Sequence, residues 1–166
     1  MTSLRLPRDV ERDPRPDAVR AALAAGARRL WAGGTVEAAV VPLTEPVRTA
    51  LGSPAIRNAL IRGLEGAEAT LVAERRGLDA LPAADRAPRV SRLLLVTNDG
   101  AERLYRQVER LATTHAPRVL VCLLDVPSAT LGGLLYGPDA VAKLVLTGHK
   151  DAATRLLLAL AGPRNA

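Results

Sequence analysis

The chain has 166 residues, 48 % of them hydrophobic and 24 % charged, which excludes a disordered tail and suits one domain with a sizeable core. Aromatics make up 2 % and Phe is absent, so the core is built from Leu, Val, Ala and Ile, and little surface exists for stacking unpaired bases. The net charge of +6, carried by 21 Arg and 2 Lys scattered along the chain, favours polyanionic partners, while the single Cys122 excludes a disulfide within the chain.

Residues 1–16 read as a flexible, basic, Pro-rich arm, with residues 17–166 as a single domain. No apolar run approaches the roughly 18 residues of a membrane span and nothing reads as a signal peptide, so the expected location is the cytoplasm, with no membrane partner. Asp17 is a good cap for a first helix along Val19, Ala22, Leu23, Ala27 and Leu30. Residues 30–32 and 38–41 are strand candidates, the first closed by Gly33 and Gly34 and the second by Pro42. Residues 44–51 form a short predicted helix. Ser53 and Pro54 open another, with Ile56, Leu60, Ile61 and Leu64 on its buried face and Gly66 as its stop. Residues 69–73 read as a strand, and residues 74–91 as the connection between two halves of the domain.

Beyond the connection the pattern is sharper. Val72, Val96, Val121 and Val145 lie in four apolar runs spaced 24, 25 and 24 residues apart, the length of a strand, a helix and two short loops. Residues 93–96 and 119–124 are unbroken apolar runs, as expected of strands covered on both faces, and residues 143–147, with Leu144, Val145 and Leu146 at their centre, read as the last strand. Between them Ala101, Leu104, Tyr105, Val108, Leu111 and Ala112 share one helical face, and a short Gly-containing helix passes through Leu131, Gly132 and Gly133 to Tyr136. Ala153, Leu156, Leu157 and Leu160 mark the last helix. The predicted fold is α/β, a three-layer sandwich with a mostly parallel sheet of about four to six strands and helices on both faces.

Parallel strands gather their C-terminal ends on one edge, where ligands of open α/β sheets bind. That edge is expected to hold Asn98, Asp99, Gly100, Asp125, Ser128, Thr147, Gly148, His149 and Lys150. A Rossmann-like ligand-binding or hydrolytic domain would use Asp99 and Asp125 as acid/base carboxylates and His149 as proton carrier, and a Ser–His–Asp set is conceivable from Ser128, His149 and either Asp. Helix capping explains the same residue types without any chemistry. His115 falls at a helix C-terminus, where partial positive charge is favoured. Phosphate-loop, dinucleotide, nucleophile-elbow and zinc-helix motifs are absent, as is any close pair among the two His and one Cys, so no cofactor, metal or catalytic set is expected.

Residues 92–147 resemble the kink-turn-binding ribosomal-protein family, which includes the third domain of eukaryotic-type release factors. The resemblance rests on the strand at 93–96 with Asp99, the charged helix from Glu102 to Leu111, Pro117 before Val119 and Val121, the helix start Leu131–Gly132, and the Val-rich run from Val141 to Leu146. The family's Gly-x-Asn-Glu helix start has no counterpart between Ala83 and Arg92. The resemblance implies an RNA-facing loop at Ser128, Thr130, Leu131 and Gly132. Together with Arg89, Arg92 and Arg118 beside the strand starts, these residues are the candidate nucleic-acid contacts of a small binding module for structured RNA or a ribonucleoprotein, without catalysis of its own. A self-assembling subunit that pairs its Leu- and Ala-rich helices with further copies is a third possibility.

Overall fold

The computed structural model describes residues 5–82 and 89–162. Helices α1 (Arg8–Arg12) and α2 (Pro16–Ala24) lead into strands β1 (Arg28–Arg29) and β2 (Glu37–Val41). Two short helices follow, α3 (Glu45–Gly52) and α4 (Pro54–Arg57), then strand β3 (Leu60–Arg62) and the long helix α5 (Leu64–Asp79). The second half alternates β4 (Arg92–Thr97), α6 (Glu102–Thr114), β5 (Val119–Leu124), α7 (Ser128–Tyr136), β6 (Leu144–Thr147) and α8 (Lys150–Leu160). Proline opens α2, α3 and α4 within their first two positions, where its missing N–H has no partner to lose.

The six strands form one sheet in the order β1-β2-β5-β4-β6-β3. β2, β5 and β4 run parallel, with Arg92 opposite Val119 and Val41 opposite Leu124. β6 is antiparallel to β4, β3 to β6 and β1 to β2. The fold is therefore α/β with a mixed sheet, and the expectation of a mostly parallel one is corrected. Alternation along the strands splits the core in two. Leu93, Leu95, Cys122, Leu124 and Val145 join residues of α1, α2, α3, α4, α7 and α8. Leu94, Val96, Val121, Leu123, Leu144 and Leu146 meet Ala67 and Leu71 of α5 and Tyr105, Val108 and Leu111 of α6. Cys122 is fully buried and its thiol is pushed up to about 12, so it remains a neutral, small core residue.

The direction of β6 follows from the path that precedes it. After α7 the chain doubles back along that helix, and the Ala142 N–H donates to the Ser128 carbonyl at 3.0 Å, at the helix start. β6 thus begins beside the C-terminal end of β4, where the Thr97 N–H donates to the Lys143 carbonyl at 2.9 Å. It ends beside the start of β4, where the Leu93 N–H donates to Thr147 Oγ1 at 2.9 Å. The return leg requires Gly132, because a Cβ there would lie 2.2 Å from the Ala140 carbonyl oxygen.

Three local expectations are also revised. The run at 69–73 belongs to α5, whose Ala67 and Leu71 are buried one turn apart, so the apolar residues were helical all along. The single helix expected across Ile56, Leu60, Ile61 and Leu64 is split: α4 ends at Arg57, and Leu60 and Ile61 pair with β6. The first strand is Arg28–Arg29 instead of 30–32. Within the segment read as an arm, Leu6 and Val10 are fully buried, and the Val90 N–H donates to the Arg5 carbonyl at 2.8 Å. The start of the supposed connection at 74–91 continues α5, and residues 83–88 lie outside the described residues.

Candidate nucleic-acid interface

The two ends of the sheet carry different chemistry. At the C-terminal ends of β4 and β5, Asp99 accepts the Ser128 N–H at 3.0 Å, the Ser128 hydroxyl at 2.7 Å and the Thr97 hydroxyl at 2.9 Å. Asn98 donates to Asp125 at 3.1 Å, and Tyr105 bridges the Thr97 carbonyl and the Gly100 N–H. These bonds fasten the loops and start α7, with Asp99 acting as a cap from outside the helix. Burial pushes the Asp99 carboxyl up, but the bonds from Ser128 and Thr97 outweigh it and hold the group below the ordinary 3.8. A depressed carboxylate stabilises the fold above its unfolded-state pKa, and that contribution is lost as pH falls through the folded value. Asp99→Ala is accordingly expected to cost about 1 kcal/mol at neutral pH. The wild type should lose this increment on acidification below 3.8 and the variant should not, a difference readable from urea unfolding at pH 7 and pH 3.

Because β6 is antiparallel, His149 and Lys150 sit at the opposite end, beside the starts of β4 and β5. The catalytic grouping of Asp99, Asp125 and His149 is therefore not assembled, nor is the one of Ser128 with His149. The candidate nucleic-acid contacts are also divided. Ser128, Thr130 and Gly132 lie on α7, where Ser128 is committed to Asp99 and Gly132 to the return leg. Arg89, Arg92 and Arg118 come together at the other end.

There the starts of β4 and β5, the ends of α5 and α6, α1 and the start of α8 enclose a groove of about 1040 Å³. Among the described residues its lining holds seven cationic side chains against three carboxylates, together with both histidines of the chain. Arg8, Arg12, Arg75 and Lys150 are exposed and form the rim. The floor is half-buried: Glu74 lies 3.1 Å from Arg92 Nε and 2.9 Å from Arg118 Nη1, and Arg89 lies 3.7 Å from Glu11 and donates to the Leu6 carbonyl at 3.0 Å. Backbone bonds hold Arg92 and Arg118 side by side, since the Ser91 and Arg92 N–H groups both donate to the Arg118 carbonyl.

The electrostatics of the floor reflect burial first and neighbouring charge second. Burial lowers the pKa of Arg92 and Arg118 adds to the shift, while Glu74 opposes it. His115 is 3 % exposed and caps α6 at its C-terminal end. A helix C-terminus alone would favour a protonated ring, but burial, Arg118 and Arg75 lower its pKa instead. Arg118 Nη2 lies 3.4 Å from His115 Nδ1, and a guanidinium only donates, so this contact suits an accepting Nδ1, in line with the lowered pKa. His115 thus sits at the helix C-terminus as expected, but its surroundings outweigh the pull of that position toward positive charge.

The sequence singles out Arg89, Arg92 and Arg118, which the structure brings to one groove, but not Glu74, which pairs with Arg92 and Arg118, nor the surrounding Arg8, Arg12, Arg75 and Lys150. The turn of α5 brings Arg75 toward α6, where its Nη1 donates to the Thr114 carbonyl at 3.4 Å. Among the described residues no group of three His, Cys, Asp or Glu is placed to hold a metal ion, and no helix is long and apolar enough to cross a membrane. Comparison with family models, curated proteins and solved structures finds no match to this chain.

Proposed function

We propose that the protein is a binding module for structured RNA and that the basic groove at the starts of β4 and β5 is its contact surface. The observation that carries this reading is the convergence of Arg89, Arg92 and Arg118 with Arg8, Arg12, Arg75 and Lys150 around one groove, although they are distant in sequence. Guanidinium groups suit phosphate, offering planar paired donors that stay charged at any physiological pH. A-form RNA is recognised largely by shape, phosphates and 2′-hydroxyls, which matches a surface rich in Arg and poor in aromatics. The segment from Ser128 to Gly132, implied by the ribosomal-protein resemblance, plays no part in this proposal, because it lies on α7 at the opposite end of the sheet, with Ser128 bonded to Asp99 and Gly132 packed on the Ala140 backbone.

The test is fluorescence anisotropy of a labelled RNA hairpin across a salt series. The expected result is a linear fall of log affinity with log salt, with a slope of about −3 or steeper for four or more phosphate contacts. Absence of binding at low salt, or binding indifferent to salt, contradicts the proposal.

A further inference from the structure

We infer that Glu74 stands in the groove where a phosphate of the ligand would sit, and that an RNA phosphate seats on Ser91, Arg92 and Arg118 by displacing it. The inference rests on the groove being the RNA site. Among the described residues, five buried side-chain atoms have no hydrogen-bond partner: Glu74 Oε2, Arg89 Nε, Ser91 Oγ, Arg92 Nε and Arg118 Nη1. All five belong to residues lining this one groove. The charges of Arg92 and Arg118 are compensated by Glu74 at 3.1 and 2.9 Å, but the N–H groups do not point at its oxygens. Buried polar groups are nearly always bonded, so a cluster of four unbonded donors calls for an acceptor of another shape. A carboxylate offers two oxygens in one plane. A phosphate offers tetrahedrally arranged oxygens and the same sign of charge, which suits the Arg92 and Arg118 N–H groups together with the Ser91 hydroxyl.

Glu74 is also poised to leave. It lies in the second half of α5, and the last side chain that helix buries is Leu71. Residues 72–79 bury none, so tilting this end of the helix disturbs little packing. Displacing Glu74 exchanges one anion for another on the same cations, which makes the carboxylate a built-in competitor of the ligand.

The experiment titrates inorganic phosphate against the full chain, followed by amide shifts of Ser91, Arg92 and Arg118, in the wild type, Glu74→Gln and Ser91→Ala. Glu74→Gln is expected to strengthen phosphate binding by about tenfold, because the competing charge is gone. Ser91→Ala is expected to weaken it by about tenfold, the worth of a bond to a charged group, without lowering the melting temperature, since its hydroxyl has no partner to lose. A folded Glu74→Gln variant with unchanged or weaker phosphate affinity overturns the inference, as does Ser91→Ala with unchanged affinity. Should Glu74→Gln fail to fold, Ser91→Ala decides alone. An RNA hairpin is titrated in parallel. Salt-dependent RNA binding with phosphate affinity indifferent to both substitutions leaves the groove proposal standing and removes Glu74 from it. Binding of neither RNA nor phosphate removes both.

Discussion

Gly132→Ala is expected to destabilise the protein by about 3 kcal/mol, whereas Gly133→Ala, one residue on, is expected to stabilise it by up to about 1 kcal/mol. Both glycines lie inside α7, where alanine is the better helix former. Their surroundings differ. A Cβ on Gly132 would lie 2.2 Å from the Ala140 oxygen, 2.4 Å from its carbonyl carbon and 2.6 Å from Val141 Cα, all backbone atoms that no rotamer change can move aside. A Cβ on Gly133 meets nothing within 4 Å. The strain at Gly132 falls on the segment that returns along α7 and starts β6, so the sheet's antiparallel member is put at risk together with the placement of His149 and Lys150. Urea unfolding of the two variants checks the contrast, and a Gly132→Ala variant as stable as the wild type would mean that the return leg has room to yield.

The largest effect on binding is expected from the rim. Replacing Arg8, Arg12, Arg75 and Lys150 together by alanine should reduce the salt slope of RNA binding by about 3 and the affinity at moderate salt by about a hundredfold or more. These side chains are exposed, so their removal should leave the melting temperature within a few degrees of the wild type. Arg92 and Arg118 make poorer probes of the same question, because truncating either strips Glu74 of half its compensation in a half-buried site and mixes stability into the readout. A quadruple variant that binds RNA as well as the wild type would place the contact surface elsewhere.

The central strands were legible because burial on both faces leaves apolar runs, and those at 93–96, 119–124 and 144–146 fall in β4, β5 and β6. Spacing carries no direction, however. A crossover and a return leg both fit in the interval between Leu124 and Leu144, and the return leg is held by tertiary contacts, the close approach of Gly132 to Ala140 and the Ala142–Ser128 backbone bond, that spacing does not reveal. That single ambiguity moved His149 from one end of the sheet to the other and dissolved the cleft drawn around Asp99 and Asp125. The run at 69–73 is a helix for a different reason: a five-residue segment with four apolar residues is too short to show a period, and the burial of Ala67 and Leu71 that makes it helical depends on a tertiary neighbour. With α5 unrecognised, Glu74 had no visible relation to Arg92 and Arg118, although all three were in plain view. The arginines themselves were legible from charge and from their position at strand starts, whereas their convergence with α1 required the burial of Leu6 and Val10, which a charged, Pro-rich segment conceals.

The most direct test of the groove is an amide chemical-shift map of the protein with an RNA hairpin added. Perturbations are expected at Arg75, Ser91, Arg92, Arg118 and Lys150. Perturbations confined to Asn98, Asp125, Ser128 and Thr130, at the other end of the sheet, would contradict the account.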